Sequence, residues 1–191
     1  MDIDITNQMP RTDSRITRQH DAPSGEIVFA TRESPLGIVL VARSAHGICA
    51  ILIGSQPDEL TADLAARFPD KRLVRNDRKL DGDLVTILRF IATPARGLDL
   101  DLDIHGTPFQ RRVWDALCAI PTGRTVTYAA LARRIGEPGS ARAVANACAA
   151  NAIALAIPCH RVVRSDGTLS GYRWGVERKR ALIAREATAR A

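Results

Sequence analysis

No apolar run in this chain approaches the roughly 20 residues that a membrane-crossing helix requires, so no such helix is expected. The first residues, Met1-Asp2-Ile3-Asp4, lack the basic-then-apolar pattern of a secretory leader, and the expected compartment is the cytoplasm. Cysteine is sparse: Cys49, Cys118, Cys148 and Cys159 are widely spaced and form no Cys-x-x-Cys pair. In a reducing compartment that spacing means free thiols and no disulfide framework. Cys49, Cys118 and Cys148 sit in apolar strand-like or helix-like runs and read as buried small hydrophobes. Internal repeats and low-complexity tracts are also missing. Lysine nearly disappears from the second half, where 13 of the 14 cations between His105 and Ala191 are arginine.

What is present is a chain of 191 residues, long enough for one sizeable domain or two small ones. Its charge is unevenly placed. Residues 105–191 carry 14 Lys and Arg against 5 Asp and Glu, whereas residues 1–104 carry 13 against 16. A basic, arginine-rich half beside a mildly acidic one points to a face built for a polyanion, since guanidinium forks phosphate and stacks on bases. A merely solvated basic surface is the plainer reading of charge taken alone.

Residues 1–24 are polar and aperiodic and are expected to be a disordered tail. Glu26–Arg32, Gly37–Arg43 and Gly47–Gly54 are β-like with turn residues between them, which predicts an antiparallel meander. Pro57–Phe68 and Asp83–Ala92 have helical period. Leu98–Ile104 alternates strictly between apolar residues and aspartates and predicts a strand with one acidic, solvated face. From Gly106 the pattern is helical: Thr107 can cap a helix that starts at Pro108 and runs to Ile120. Thr127–Ile135 and Ser140–Ala149 flank the turn Gly136-Glu137-Pro138-Gly139, a helix-turn-helix arrangement. A polar loop carrying two aromatics, Arg164–Gly175, and a closing helix, Val176–Ala187, complete the chain. The expected fold class is α+β.

The chemistry concentrates in Pro158-Cys159-His160-Arg161-Val162-Val163, where a thiol stands next to an imidazole that can take its proton. Around it lie Pro108-Phe109-Gln110, Val113-Trp114, Ile120-Pro121-x-Gly123-x-Thr125-Val126-Thr127-Tyr128, Ala141-Arg142-Ala143-Val144, Asn151 and Gly171-Tyr172. In these pieces, over about residues 105–187, the chain strongly resembles the O6-alkylguanine-DNA alkyltransferases, suicide DNA-repair proteins that are methylated-DNA–protein-cysteine methyltransferases. The resemblance implies a small ribonuclease-H-like domain at 25–104 and a mostly helical, winged-helix-like catalytic domain with the helix-turn-helix at 105–187, followed by a tail at 188–191.

It further implies that Cys159 takes the alkyl group from O6 of guanine once and irreversibly. His160 would act as base through a water, oriented by Glu186. Asn151 would tie the recognition helix to the active-site loop, and Tyr128 would rotate the nucleotide's phosphate and protonate the leaving base. Arg142 would fill the gap left by the flipped nucleotide. Thr127, Tyr128, Ala141 and Arg142 would meet double-stranded DNA, with small residues Ala141, Ala143, Ala145 and Ala147 allowing close approach to the minor groove. Val162, Tyr172, Arg173 and Trp174 would form the substrate pocket, Trp174 at its rim narrowing it against bulky substituents.

Up to residue 104 the only Cys and His are Cys49, His20 and His46, too few for the closed zinc site of some relatives. No metal and no cofactor are therefore expected, nor a Cys-rich alkylphosphotriester-sensing domain before residue 25. The protein is expected to act as a monomer. Two rivals remain. A non-catalytic, alkyltransferase-like damage flag or regulator would use the same helices but lacks the cysteine. A cysteine hydrolase would usually draw its histidine from elsewhere in the chain.

Overall fold

The computed structural model describes residues 25–169 and 171–188. The expected tail at 1–24 and the stretch 189–191 lie outside the described residues. The chain has a mixed α/β fold whose buried apolar side chains form one continuous cluster, from Ile27 through Val113 to Leu182.

β1 (Glu26–Ser34), β2 (Gly37–Arg43) and β3 (Ile48–Gly54) form the meander, β1 pairing antiparallel with β2 and β2 with β3. β4 (Arg72–Arg75) joins the other side of β1 in parallel, giving the order β3-β2-β1-β4. Nothing in Arg72-Leu73-Val74-Arg75 alternates, and a four-residue edge strand of this kind is held by its neighbour more than by its own pattern. Between β3 and β4 runs α1 (Pro57–Arg67), with Pro57 in its first turn, Asp58 and Glu59 beside the positive end of the helix dipole, and Arg67 at the other end. α2 (Asp81–Ala92) buries Leu84, Ile87, Phe90 and Ile91, one helical stripe, and starts two residues before the predicted Asp83.

The segment Leu98–Ile104 is not the predicted strand. Only Leu102 makes a bridge, to Ile48, while Ile48 N donates to Asp101 O at 2.8 Å and Asp103 N to Ile48 O at 2.9 Å. The cause lies in β3, the edge strand these residues approach. Its outer edge is shared: Ile48 takes residues 101–103, but Ile51 takes residues 152–154, with Ile51 N donating to Ala152 O and Ala154 N to Ile51 O. Two short partners close an edge without either forming a ladder. The aspartates do not share one solvated face either. Asp103 is buried and bonded to Ser44 Oγ (2.6 Å) and His105 Nε2 (3.0 Å), and these bonds, against the opposing effect of burial, hold its pKa below the ordinary value. Among the described residues no group of three or more His, Cys, Asp and Glu is placed to hold a metal ion.

α3 (Pro108–Cys118) opens on a capping box: Gln110 N donates to Thr107 Oγ1 at 3.2 Å and Thr107 N to Gln110 Oε1 at 2.9 Å. Gly106 passes so close to the Trp114 indole that a Cβ there would collide with it. α4 (Tyr128–Arg134) and α5 (Ala141–Ala150) are the predicted helix pair within a residue at each end. The two-residue strands β5 (Val126–Thr127) and β6 (Val162–Val163) pair in parallel, which fastens the start of α4 to the residues just after His160. α6 (Val176–Thr188) runs one residue beyond the predicted Ala187. No described helix is long and apolar enough to cross a membrane.

Candidate active site

A buried polar chain crosses the helical half from α5 to α6. At its start is Asn151, the C-terminal cap of α5 and 1% exposed. Its Oδ1 accepts from Ile153 N at 2.8 Å, and its Nδ2 donates to Ile157 O at 2.9 Å and lies 3.2 Å from Cys159 Sγ. One side chain therefore shapes the whole loop from helix to thiol, satisfying backbone groups that burial would otherwise leave unpaired. Leu155 in that loop has φ of 71°, a left-handed conformation costly for a branched side chain and kept only because its surroundings over-determine it.

Cys159, His160 and Arg161 form one short helical turn, and all three are buried. His160 meets the last helix: its Nε2 lies 2.8 Å from Glu186 Oε1. Glu186, on α6, also accepts two bonds from Arg161 Nε (2.9 and 3.2 Å), one from Arg161 Nη2 (2.9 Å) and one from Gly123 N (3.1 Å). Burial on its own would raise the Glu186 pKa, but the bonds from His160 and Arg161 and the charge of Arg161 outweigh it and hold the group at about 2. An ionised Glu186 can only accept, so His160 carries its proton on Nε2 and presents a lone pair at Nδ1. That Nδ1 is buried and has no hydrogen-bond partner among the described residues. Burial, opposed by Glu186, pushes the His160 pKa down and keeps the ring neutral, the state a base requires. Burial likewise pushes the Cys159 thiol up, partly countered by the Asn151 bond and by Lys179.

These shifts set the pH dependence of stability. Glu186 is depressed from 4.5 to about 2, so it contributes stability above its ordinary value that is lost as pH falls through that window. His160 lies below its ordinary 6.5, so the unfolded chain binds a proton more readily and stability begins to fall already below that pH. Thermal melts should therefore show Tm declining below about 6.5 and more steeply below 4.5. A Glu186→Gln variant should lose the steeper part, and an unchanged acid limb in that variant would contradict the assignment.

Arg161 was not singled out by the sequence pattern. Arg161 is 7% exposed, and its guanidinium, besides Glu186, donates to Ile120 O (2.5 Å) and Thr122 Oγ1 (3.2 Å), locking the turn after α3 to the cysteine turn. The other three thiols are off this chain. Burial pushes Cys49 up to about 12, Cys118 to about 11 and Cys148 higher still. Cys118 is half-buried where full burial is expected, because it sits at the end of α3 facing Ala156 O at 3.7 Å.

A second feature opens beside the cysteine turn. Tyr128, Arg142, Ala145, Asn146, Ala149 and Arg164 line a groove of about 680 Å³. Arg142 is exposed on the first turn of α5, and Ala141 beside it is half-buried and lines the same groove. Ala147 is not on this face: it is 2% exposed, and its carbonyl accepts from Trp114 Nε1 at 2.9 Å, so helical period turns it to the core. Asn146 and Ala149 take the place expected of it. Thr127 spends its hydroxyl on the α4 cap, accepting from Ala130 N at 3.1 Å. Tyr128 is half-buried, and burial followed by the nearby Cys148 and Cys159 raises its phenol to about 12, so it is a neutral donor.

Val162 is fully buried. The predicted polar loop is anchored at its C-terminal end, over residues 172–174. Tyr172 (8% exposed) and Trp174 (5%) are both buried, so Trp174 is core-packed and not at a rim. Arg173 reaches out to Asp63 on α1 and stacks its guanidinium 5.4 Å from the Trp174 ring. Arg178 closes the anchor, donating to Leu36 O (2.6 Å), Trp174 O (2.8 Å) and Ser55 Oγ (2.9 Å). The β-rich half thus holds the segment next to the thiol.

Residues 108–188 match the family model described as the DNA-binding domain of 6-O-methylguanine DNA methyltransferase. Among curated proteins, the chain is similar to the regulatory protein Ada of Salmonella typhimurium, 52% identical over 159 residues that cover 83% of this chain and 45% of that protein. It therefore spans about half the length of that relative. It is also similar to the methylated-DNA–protein-cysteine methyltransferase of Mycolicibacterium paratuberculosis, 37% identical over 161 residues covering 84% of this chain and 92% of that one. Among solved structures, Mycobacterium tuberculosis OGT in complex with DNA superposes with a TM-score of 0.71 at 33% identity, covering 85% of this chain and 94% of that chain.

Proposed function

Since the chain belongs to the O6-methylguanine-DNA methyltransferase family, we propose that it repairs alkylated duplex DNA by moving the alkyl group of O6-alkylguanine to Cys159. O4-methylthymine is the second substrate to test. The observation that carries the proposal is the buried cysteine turn, in which Cys159 is followed by a neutral His160 held by ionised Glu186, together with an arginine-bearing groove.

In this reaction the Cys159 thiol gives its proton, by way of a water, to His160 Nδ1, and the sulfur attacks the alkyl carbon in line. The new C–S bond forms as the C–O6 bond breaks, and the electron pair goes to the guanine ring. Tyr128 supplies the proton that makes the leaving base neutral, and His160 ends with the proton from the thiol until Tyr128 is restored. A thioether offers no easy reversal, so each molecule acts once. The sulfur cannot reach O6 inside a base stack, so the nucleotide must turn out of the duplex. Arg142 takes its place in the stack, while α5 lies against the minor groove on Ala141, Ala145 and Ala149.

Val162, Tyr172 and Arg173 enclose the flipped base, with backbone groups of Cys159, Val162 and Arg173 reading its edge. Residues 25–104 are then a ribonuclease-H-like half that braces the pocket, and residues 105–187 a winged-helix-like catalytic half, acting as a cytoplasmic monomer without metal or cofactor. A non-catalytic damage flag is disfavoured by Cys159 itself. The proposal is tested with a duplex whose restriction site is blocked by a single O6-methylguanine. Incubation with the protein should restore cutting up to one duplex per chain, and unrestored cutting would refute it.

A further inference from the structure

A partly open cavity of about 150 Å³ lies between the two halves, where the end of α1 meets α3 and the loop after α5. It shares no lining residue with the arginine-bearing groove. Its walls are mostly apolar, and Ile104, Trp114, Ile153 and Ile157 are buried there. A volume of that order accommodates a benzene ring.

Arg67, the last residue of α1, also lines this space, with a side chain only 17% exposed. Its Nε donates to Asp63 Oδ2 at 3.3 Å, and its Nη1 reaches Ala150 O at 3.5 Å, a long contact. Its Nη2 is buried and has no hydrogen-bond partner among the described residues. A guanidinium nitrogen placed so gives up its hydration without a replacement, which native structures rarely allow.

Charge points the same way. Asp63 is shared, its Oδ2 accepting from Arg67 and its Oδ1 from Arg173 at 2.5 Å. Two guanidiniums around one carboxylate leave a positive charge over. Burial lowers the Arg67 pKa, Asp63 opposes that effect and Arg173 adds to it. A second anion beside Arg67 would relieve both. The other titratable groups on the lining put no competing anion there. Cys49 is a neutral thiol pushed up to about 12, and His105 places its Nε2 3.0 Å from Asp103 Oδ2.

We propose that this cavity is a binding site for a small aromatic monocarboxylate, its ring against Trp114 and the isoleucines and its carboxylate on Arg67 Nη2. The ligand is neither DNA nor an alkyl donor, so the site is separate from the repair reaction. It stands one side chain from the acceptor, because Asn151 lines the cavity and its Nδ2 lies 3.2 Å from Cys159 Sγ. A charge-assisted hydrogen bond is about twice as strong as a neutral one, which sets a carboxylate apart from an amide of the same shape.

Benzoate is the probe, titrated into the 15N-labelled full chain at constant ionic strength, with benzamide as its neutral isostere. The Trp114 indole N–H signal should shift saturably with benzoate, half-complete at about 1 mM for a ligand of this size. Benzamide should bind about tenfold more weakly, and Arg67→Met should weaken benzoate by a similar factor. A Trp114 signal that does not saturate by about 20 mM overturns the proposal, as does benzamide binding as tightly as benzoate. Unchanged benzoate affinity in Arg67→Met overturns it equally. The benzamide comparison uses the unmutated chain and decides the matter should the variant not fold. None of these readouts involves DNA, so failure of the repair reaction would show separately, in the restriction assay.

Discussion

Glu186→Gln should slow alkyl transfer to Cys159 by about a hundredfold to ten-thousandfold, the usual worth of a positioned general base. Glutamine fills the same space, so the effect isolates charge. With carboxylate oxygen Oε1 2.8 Å from Nε2, the imidazole holds its proton on that nitrogen and keeps Nδ1 free to accept one. An amide can donate as well as accept. It therefore permits the opposite tautomer, which puts the proton on Nδ1 and removes the base, and it no longer stabilises the imidazolium that forms. The check is the single-turnover rate with O6-methylguanine duplex in excess. A rate within threefold of the parent would mean that the His160–Glu186 pair holds the fold together and takes no part in the chemistry.

The second large effect falls on stability. Arg161→Met should destabilise the chain by about 3–5 kcal/mol, the cost of removing one member of a buried ion pair and leaving the other. Glu186 would keep only His160 and Gly123 N, while Ile120 O and Thr122 Oγ1 would lose their donor. Combining Arg161→Met with Glu186→Gln should recover part of that loss, because the uncompensated charge disappears with its partner. Urea unfolding of the two single variants and the double variant measures the coupling. Strict additivity, or a loss below about 1 kcal/mol for Arg161→Met, would contradict the ion pair drawn here.

Much of the scaffold was legible in the chain because its signals are local. Thr107 and Gln110 announce the start of α3, and Gly136-Glu137-Pro138-Gly139 separates α4 from α5. The acceptor thiol stood out for the same reason, being next to an imidazole in the sequence. What was not legible depends on contacts far apart in the chain. Leu98–Ile104 alternates like a strand, but the edge it would pair with is shared with residues 152–154. β4 has no pattern of its own.

Arg161 and Lys179 look like two more members of a basic surface, and only the fold shows that both are buried. Lys179 did leave a trace. Leu182 is flanked at three residues before and four after by Lys179 and Glu186, charged residues on the stripe that must face the core. Trp174 and Ala147 were misplaced from the opposite side, since small and aromatic residues near a basic groove suit a rim or an interface as readily as a core.

The most direct test of the central claim is a stoichiometric titration with duplex DNA carrying O6-methylguanine labelled in the methyl group. Label should transfer to the protein, saturate at one per chain, reside on the peptide containing Cys159, and vanish in Cys159→Ala while DNA binding persists. Label that stays on the DNA, reaches another residue, or turns over more than once per chain would contradict Cys159 as a consumable alkyl acceptor.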